Sequence, residues 1–274
     1  MGTSTNYSAS PNWKTTKQQV TQAGGEGFVT PDKAASLVTT LVNQMAKEST
    51  LGFRSSSRGS GGGGATGTGG ATGGTSGASG GSGGAGGGAS RASGGSIRNV
   101  AQGLGSFLSD IQQKGFQQAL ADRGLTNIAD KTPDEVALGL ADLLSEPASL
   151  IDDTVLRDAL IELMMDWSED QDSVEDLGTN VEALSSDINN VLHDLMGHYI
   201  YQVFKAVGYQ GVLKTHGFDA ANNMCSQIRD YIDAQVTHIE SGRDLSSIEW
   251  SGQEGASVVD RIVSDTIEIF GETE

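Results

Sequence analysis

The sequence predicts an all-α fold, with a helical bundle domain preceded by a disordered N-terminal arm and a flexible Gly/Ser/Ala-rich linker. Apolar residues recur at helical spacing, and no segment alternates apolar and polar residues as a strand would. Residues 58–95 are nearly all Gly, Ser, Ala and Thr, with no Leu, Ile, Val or aromatic side chain to bury. These observations predict an arm over 1–57, the linker over 58–95 and an acidic all-α domain over 96–274.

The arm is predicted to contain one amphipathic helix, over residues 31–48. Thr30 is a typical N-cap, Pro31 is typical of the first turn, and Asp32 is favourable near the positive helix end. The apolar stripe of this helix consists of Val38, Leu41, Val42 and Met45. A single amphipathic helix cannot bury its stripe alone, so these residues either pack on the main domain or contact a partner. We expect Trp13 to be exposed and to be another candidate partner contact.

The domain after the linker is predicted to be a series of consecutive helices. They are expected at about 97–115, 116–123, 133–146, 152–167, 179–207, 219–240 and 255–270. Two of them are predicted to begin with a capping box, one from Thr132 to Glu135 and one from Ser251 to Glu254.

The charge of the chain is unevenly distributed. Residues 1–131 carry 11 basic and 6 acidic residues, a net charge of +5, whereas residues 132–274 carry 6 basic and 29 acidic residues, a net charge of −23. Because an acidic surface repels phosphate, direct nucleic-acid binding by the helical domain is not expected. The acidic half favours either a basic partner or solubility alone.

No arrangement of residues in the sequence marks an active site or a metal site. The Gly-rich tract lacks the Gly-Lys-Ser/Thr ending of a phosphate loop. His193 and His198 are five residues apart and therefore do not share a helix face, and the acidic run at 169–176 lacks the central Gly of a calcium loop. Cys225 lies on an apolar stripe and is predicted to be a buried, inert thiol. We therefore predict a protein that is not an enzyme and has no cofactor or metal.

The cysteine content and hydropathy favour a cytoplasmic location. With a single cysteine the chain cannot form an intramolecular disulfide, as is typical of cytosolic proteins. No apolar run approaches the ~18 residues of a membrane span, and the first thirty residues lack a basic-then-apolar leader pattern.

The N-terminus is the one chemically distinctive group. Removal of Met1 would leave Gly2 with a free amine whose reference pKa is ~7.7–8.0, so that an appreciable fraction is nucleophilic at neutral pH. Gly2 has no side chain to obstruct a narrow enzyme tunnel, and the flanking Thr3, Ser4 and Thr5 can hydrogen-bond along it. The pattern is that of a terminus presented to a modifying enzyme, or of a plain disordered tail.

Several of these features resemble the QatB family, the B components of Qat anti-phage defence systems. The points of resemblance are the opening Met1 to Thr5, the Pro-X-Trp at 11–13, the Gly-rich break, Ser96-Ile97-Arg98, the Thr132 to Glu135 turn and the acidic all-α C-terminus. The resemblance implies a non-enzymatic subunit encoded beside a QueC-like enzyme, a P-loop ATPase and a TatD-like nuclease. It further implies that the QueC-like enzyme joins a deazaguanine group to Gly2, with the flanking Thr3 and Ser4 recognised.

Two other functions are compatible with the sequence. The acidic half could act as a nucleic-acid mimic that occupies a basic cleft, with salt-sensitive binding. Alternatively, the chain is an adaptor whose helix over 31–48 binds in a partner's groove. Neither function requires modification of Gly2.

Overall fold

A computed structural model of the chain describes residues 13–47, 93–128, 130–145, 151–236, 245 and 248–271. Helices are the only regular structure in these residues, which confirms the predicted all-α fold. The helices are α1 (Trp13–Gly24), α2 (Pro31–Lys47), α3 (Ser93–Lys114), α4 (Phe116–Asp122), α5 (Pro133–Leu144), α6 (Ile151–Ser168), α7 (Val174–Ser185), α8 (Ile188–Phe204), α9 (Gln210–His216), α10 (Phe218–Val236) and α11 (Gln253–Phe270), with a π-helical segment, Lys205–Tyr209, between α8 and α9.

One of the two predicted capping boxes is present. The Thr132 side chain accepts a hydrogen bond from the Glu135 backbone N–H at 3.2 Å, and the Glu135 carboxylate accepts one from the Thr132 backbone N–H at 2.9 Å. The box predicted at Ser251 is wrong, because the N-cap of α11 is Gly252, which has no side chain to accept a bond.

The long helix predicted over 179–207 is also wrong, because α7 ends at Ser185 and α8 begins at Ile188. The break follows from polar side chains that bond to the local backbone. Asp187 caps α8 by accepting from the Asn190 backbone N–H at 3.1 Å, and the Ser186 hydroxyl donates to the Ala183 carbonyl at 2.7 Å. Beyond α8 the helical chain continues through the π-helical segment into α9, and it ends at Gly217, where φ is +90°.

Helix α8 lies at the centre of the bundle. It packs against α2, α3, α6, α7, α10 and α11, and nearly all of its side chains are buried. This position explains why the helix is apolar around most of its circumference, and it brings polar residues of α8 next to charged residues of α6 and α10.

Helix α1 was not predicted, and the expected exposure of Trp13 is wrong. Trp13 is the first residue of α1 and only 2% exposed. Trp13, Thr16, Val20 and Ala23 form one buried face of the helix. That face packs against the π-helical segment and α9. Trp13 is therefore a core residue of the domain.

The apolar stripe of α2 packs on the main domain, which was one of the two alternatives for it. Val38, Leu41, Val42 and Met45 are all 0% exposed. Helix α2 contacts α1, α8, α10 and α11. Contact between this stripe and a partner would require α2 to leave the domain.

Most of the predicted linker lies outside the described residues. Helix α3 begins at Ser93, three residues before the predicted boundary at 96. The division of the chain at residues 57 and 95 otherwise stays a prediction.

Candidate functional site

The predicted acceptor and its flank, Gly2, Thr3, Ser4 and Thr5, lie outside the described residues. The structure does show where the chain enters the domain, which is at the buried Trp13. Eleven residue steps separate Gly2 from Trp13, and an extended chain of that length spans at most about 40 Å. Any enzyme that acts on Gly2 must therefore work within that distance of the start of α1.

Glycines fix the position of α1 against the helical chain that follows α8. A Cβ atom on Gly208 would overlap Val20, and one on Gly211 would lie 2.5 Å from the Thr21 hydroxyl. The order of these contacts along the sequence shows that α1 runs parallel to this chain. Larger residues at Gly208 or Gly211 would push α1 outward, so these glycines help to fix the position of α1 on the domain.

A charged cluster joins α6, α8 and α10. We call it the Arg229 cluster, and it consists of Glu162, Asp166, His198, Lys205, Arg229 and Asp233. The Arg229 guanidinium lies 3.0 Å from Glu162, 3.0 Å from Asp166 and 2.8 Å from Asp233. It also lies 5.2 Å from the centre of the Tyr201 ring. Arg229, on α10, thus pairs with carboxylates of α6 and of its own helix and also contacts an aromatic ring on α8.

His198 and Lys205 complete the cluster. His198 is only 7% exposed, and its Nδ1 and Nε2 atoms lie 3.5 Å from Glu162 and 3.3 Å from Asp166. Lys205 Nζ lies 3.5 Å from the other oxygen of Glu162. Burial alone would raise the pKa of Glu162. The effects of His198, Lys205, Gln202 and Arg229 outweigh burial and lower this pKa to about 2. Glu162 is therefore ionised at neutral pH.

Sequence reasoning missed the Arg229 cluster, although part of its signal was visible. Glu162 and Asp166 are four residues apart on one helix, and so are Arg229 and Asp233 on another. Such pairs share a helix face. The two carboxylates on one face and the guanidinium on the other indicate that the two faces could meet, but only the packing around α8 shows that they do.

A cavity of about 240 Å³ adjoins the Arg229 cluster. Its polar lining comes from Asp166, Asp194, His198, Arg229 and Asp233. Its apolar lining comes from Leu163, Trp167, Leu184 and Val236, and Gly197 also lines it. Burial raises the pKa of Asp194 to about 6, so this carboxylate takes up a proton more readily than an ordinary aspartate.

Two candidate nucleophiles, Cys225 and Tyr201, are poorly suited to that role. Burial raises the pKa of Cys225 to about 11 and the pKa of Tyr201 to about 12, so both stay protonated at neutral pH. The predicted burial of Cys225 is confirmed, since it is 6% exposed.

The described residues bring no three of His, Cys, Asp and Glu together in a geometry that could hold a metal ion. None of the described helices combines the length and hydrophobicity that a membrane span requires.

His193 is a buried, titratable residue of α8 whose effect on the stability of the domain can be measured. It is 1% exposed, and neither of its ring nitrogens forms a hydrogen bond with a described residue. Burial lowers its pKa, against the smaller opposing effect of Asp265 on α11. Protonation therefore favours the unfolded chain, so the folded state loses stability as the pH falls below the unfolded pKa of ~6.5.

We expect His193→Leu to be at least as stable as the natural chain at pH 7.5. An imidazole N–H buried without a partner costs about 1–3 kcal/mol, and leucine removes that cost. At pH 5 the natural chain should lose up to about 2 kcal/mol through this residue, whereas the variant should not. Urea unfolding of both proteins at the two pH values measures the difference. An equal loss in both would show that His193 does not cause the acid sensitivity.

The fold and the site together define an all-α protein with an anchored N-terminal helix and a charged cavity on its surface. Comparison with known families is more specific. A family model described as Qat anti-phage system associated protein QatB matches residues 83–270, which is more than half of the chain. The chain belongs to the QatB family and is a component of an anti-phage defence system. Searches of curated proteins and of solved structures gave no match.

Proposed function

We propose that this chain is a non-enzymatic acceptor and scaffold of its defence system, acting in the cytosol. After removal of Met1, the amine of Gly2 receives a deazaguanine group from a QueC-like partner enzyme, with Thr3, Ser4 and Thr5 as the recognised flank. The helical domain docks on the other proteins of the system, a P-loop ATPase and a TatD-like nuclease.

The anchored helix α1 is the observation that supports this proposal most directly. Trp13 is buried at the first residue of α1, and the close contact of Gly208 with Val20 fixes the helix seven residues further on. The segment that contains Gly2 therefore joins the domain at a buried, closely packed helix. If the domain holds the modifying enzyme near the start of α1, it raises the local concentration of Gly2 at that enzyme. The domain itself need not contact Gly2.

Family membership supports the defence context of the proposal. It does not by itself identify Gly2 as an acceptor or the enzymes as partners. Those assignments depend on the N-terminal sequence and on the chemistry of a free glycine amine, which is small, flexible and partly unprotonated at neutral pH.

The substitution Gly2→Pro tests the acceptor role. Proline still permits removal of Met1, but its ring turns the primary amine into a hindered secondary amine that should not enter a narrow tunnel. We expect cells carrying the variant system to lose protection against phage, down to the plating efficiency of cells without the system. Ser8→Ala, outside the proposed flank, is the matched control and should retain full protection. Full protection by Gly2→Pro would contradict the acceptor role.

A second candidate function is that of an acidic protein that occupies a basic surface of a partner. It is favoured by the net charge of −23 over residues 132–274. Such binding should weaken steeply as salt is added and should not depend on residues 1–12. The acceptor role makes the opposite prediction about those residues.

A further inference from the structure

The cavity beside the Arg229 cluster combines two kinds of lining. Leu163, Trp167, Leu184 and Val236 supply apolar surface, while Asp166, Asp194 and Asp233 supply carboxylates. Arg229 is the one always-charged cation of the lining. The three carboxylates outnumber this cation, so the lining has an excess of acidic side chains.

Asp194 differs from the other carboxylates of the lining. Asp166 and Asp233 each form a salt bridge with Arg229. Asp194 forms no salt bridge with any described residue, and accepts only a long hydrogen bond of 3.4 Å from Asn190. His198, also in the lining, is 7% exposed and lies between Glu162 and Asp166 of the Arg229 cluster. Asp194 is thus the carboxylate of the lining whose bonding capacity the described residues leave largely unused.

We propose that this cavity binds a lysine side chain of a partner protein, with the ammonium group on Asp194 and the aliphatic stem on the apolar wall. The inference concerns docking of the domain and requires no modification of Gly2, so either proposal can fail without the other.

The shape and charge of the cavity favour lysine over other cations. A lysine has a compact charged head on a four-carbon stem, which matches one open carboxylate beside an apolar wall. The planar guanidinium of an arginine pairs best with two oxygens in one plane. In this cluster the guanidinium of Arg229 already pairs with the carboxylates of Asp166 and Asp233. A lysine on a partner also agrees with the −23 charge of residues 132–274, which attracts basic proteins.

Titration of the isotope-labelled protein with N-acetyl-lysine methylamide tests the proposal. We expect saturable NMR shifts at the Gly197 amide, inside the cavity, that weaken as salt is added. The same probe with its side-chain amine acetylated keeps the stem but loses the charge, and should bind at least about tenfold more weakly. The arginine analogue should also bind more weakly than lysine.

The variant Asp194→Asn should weaken lysine binding about tenfold, a loss of about 1.4 kcal/mol. It should fold, because burial already disfavours the charged form of Asp194. Asp260→Asn is the matched control: it removes the same charge from an exposed residue of α11 that pairs with Arg98, and should leave binding unchanged. Equal binding by Asp194→Asn, equal binding of the acetylated probe, or tighter binding of arginine would each overturn the proposal.

Discussion

Replacing Trp13 by alanine should lower the free energy of unfolding of the domain by about 3–5 kcal/mol, as is typical of large-to-small changes at buried aromatic positions. Trp13 is among the largest side chains of the core and is 2% exposed. Its loss leaves a cavity at the buried start of α1. Urea unfolding followed by circular dichroism measures the change.

Phe28→Ala is the matched control for this experiment. Phe28 belongs to the same N-terminal part of the chain, but it is 62% exposed. Its replacement should change stability by no more than about 0.5 kcal/mol. If Trp13→Ala lowered the free energy of unfolding as little as Phe28→Ala, α1 would not belong to the core. The anchoring of α1, which supports the acceptor proposal, would then be wrong.

Deleting residues 2–12 should abolish phage defence while leaving the domain folded. The deletion stops before Trp13, so α1 keeps its buried face, whereas a deletion that extended to residue 20 would also remove core residues. Plating efficiency measures defence, and the unfolding curve of the purified protein measures stability. A protein that is stable but inactive would assign the function to the N-terminal segment and not to the acidic surface.

The matched control is a deletion of equal length within the Gly-rich tract, residues 60–70. Shortening a long Gly-rich connection changes the closure entropy only slightly, so this variant should retain both stability and defence. Full defence by the 2–12 deletion would favour the acidic-surface function, and salt-sensitive binding to a basic partner would then be the property to measure.

Local signals in the sequence were sufficient at two helix ends. The capping box of Thr132 and Glu135 formed as predicted, because both hydrogen bonds join residues three apart. Gly115 separates α3 from α4 with φ at +82°, a conformation for which glycine is the usual choice. These positions needed no knowledge of the rest of the fold.

Features that depend on distant contacts were missed, and so was one break between helices that local caps produce. Helix α1 is rich in Lys, Thr and Gln, and Gly208 and Gly211 let it approach the chain that follows α8 closely. The break between α7 and α8 was missed because apolar spacing continues across it, although Asp187 caps the second helix. The Arg229 cluster likewise depends on how α6 and α10 face each other across α8.

The proposed acceptor role is tested most directly by the mass of the N-terminal peptide. The protein would be purified once alone and once after co-expression with the other proteins of its defence system. We predict an added mass on the Gly2 peptide only in the co-expressed sample, and its loss in Gly2→Pro. An unmodified Gly2 in both samples, from a co-expressed system shown to protect cells against phage, would contradict the acceptor role.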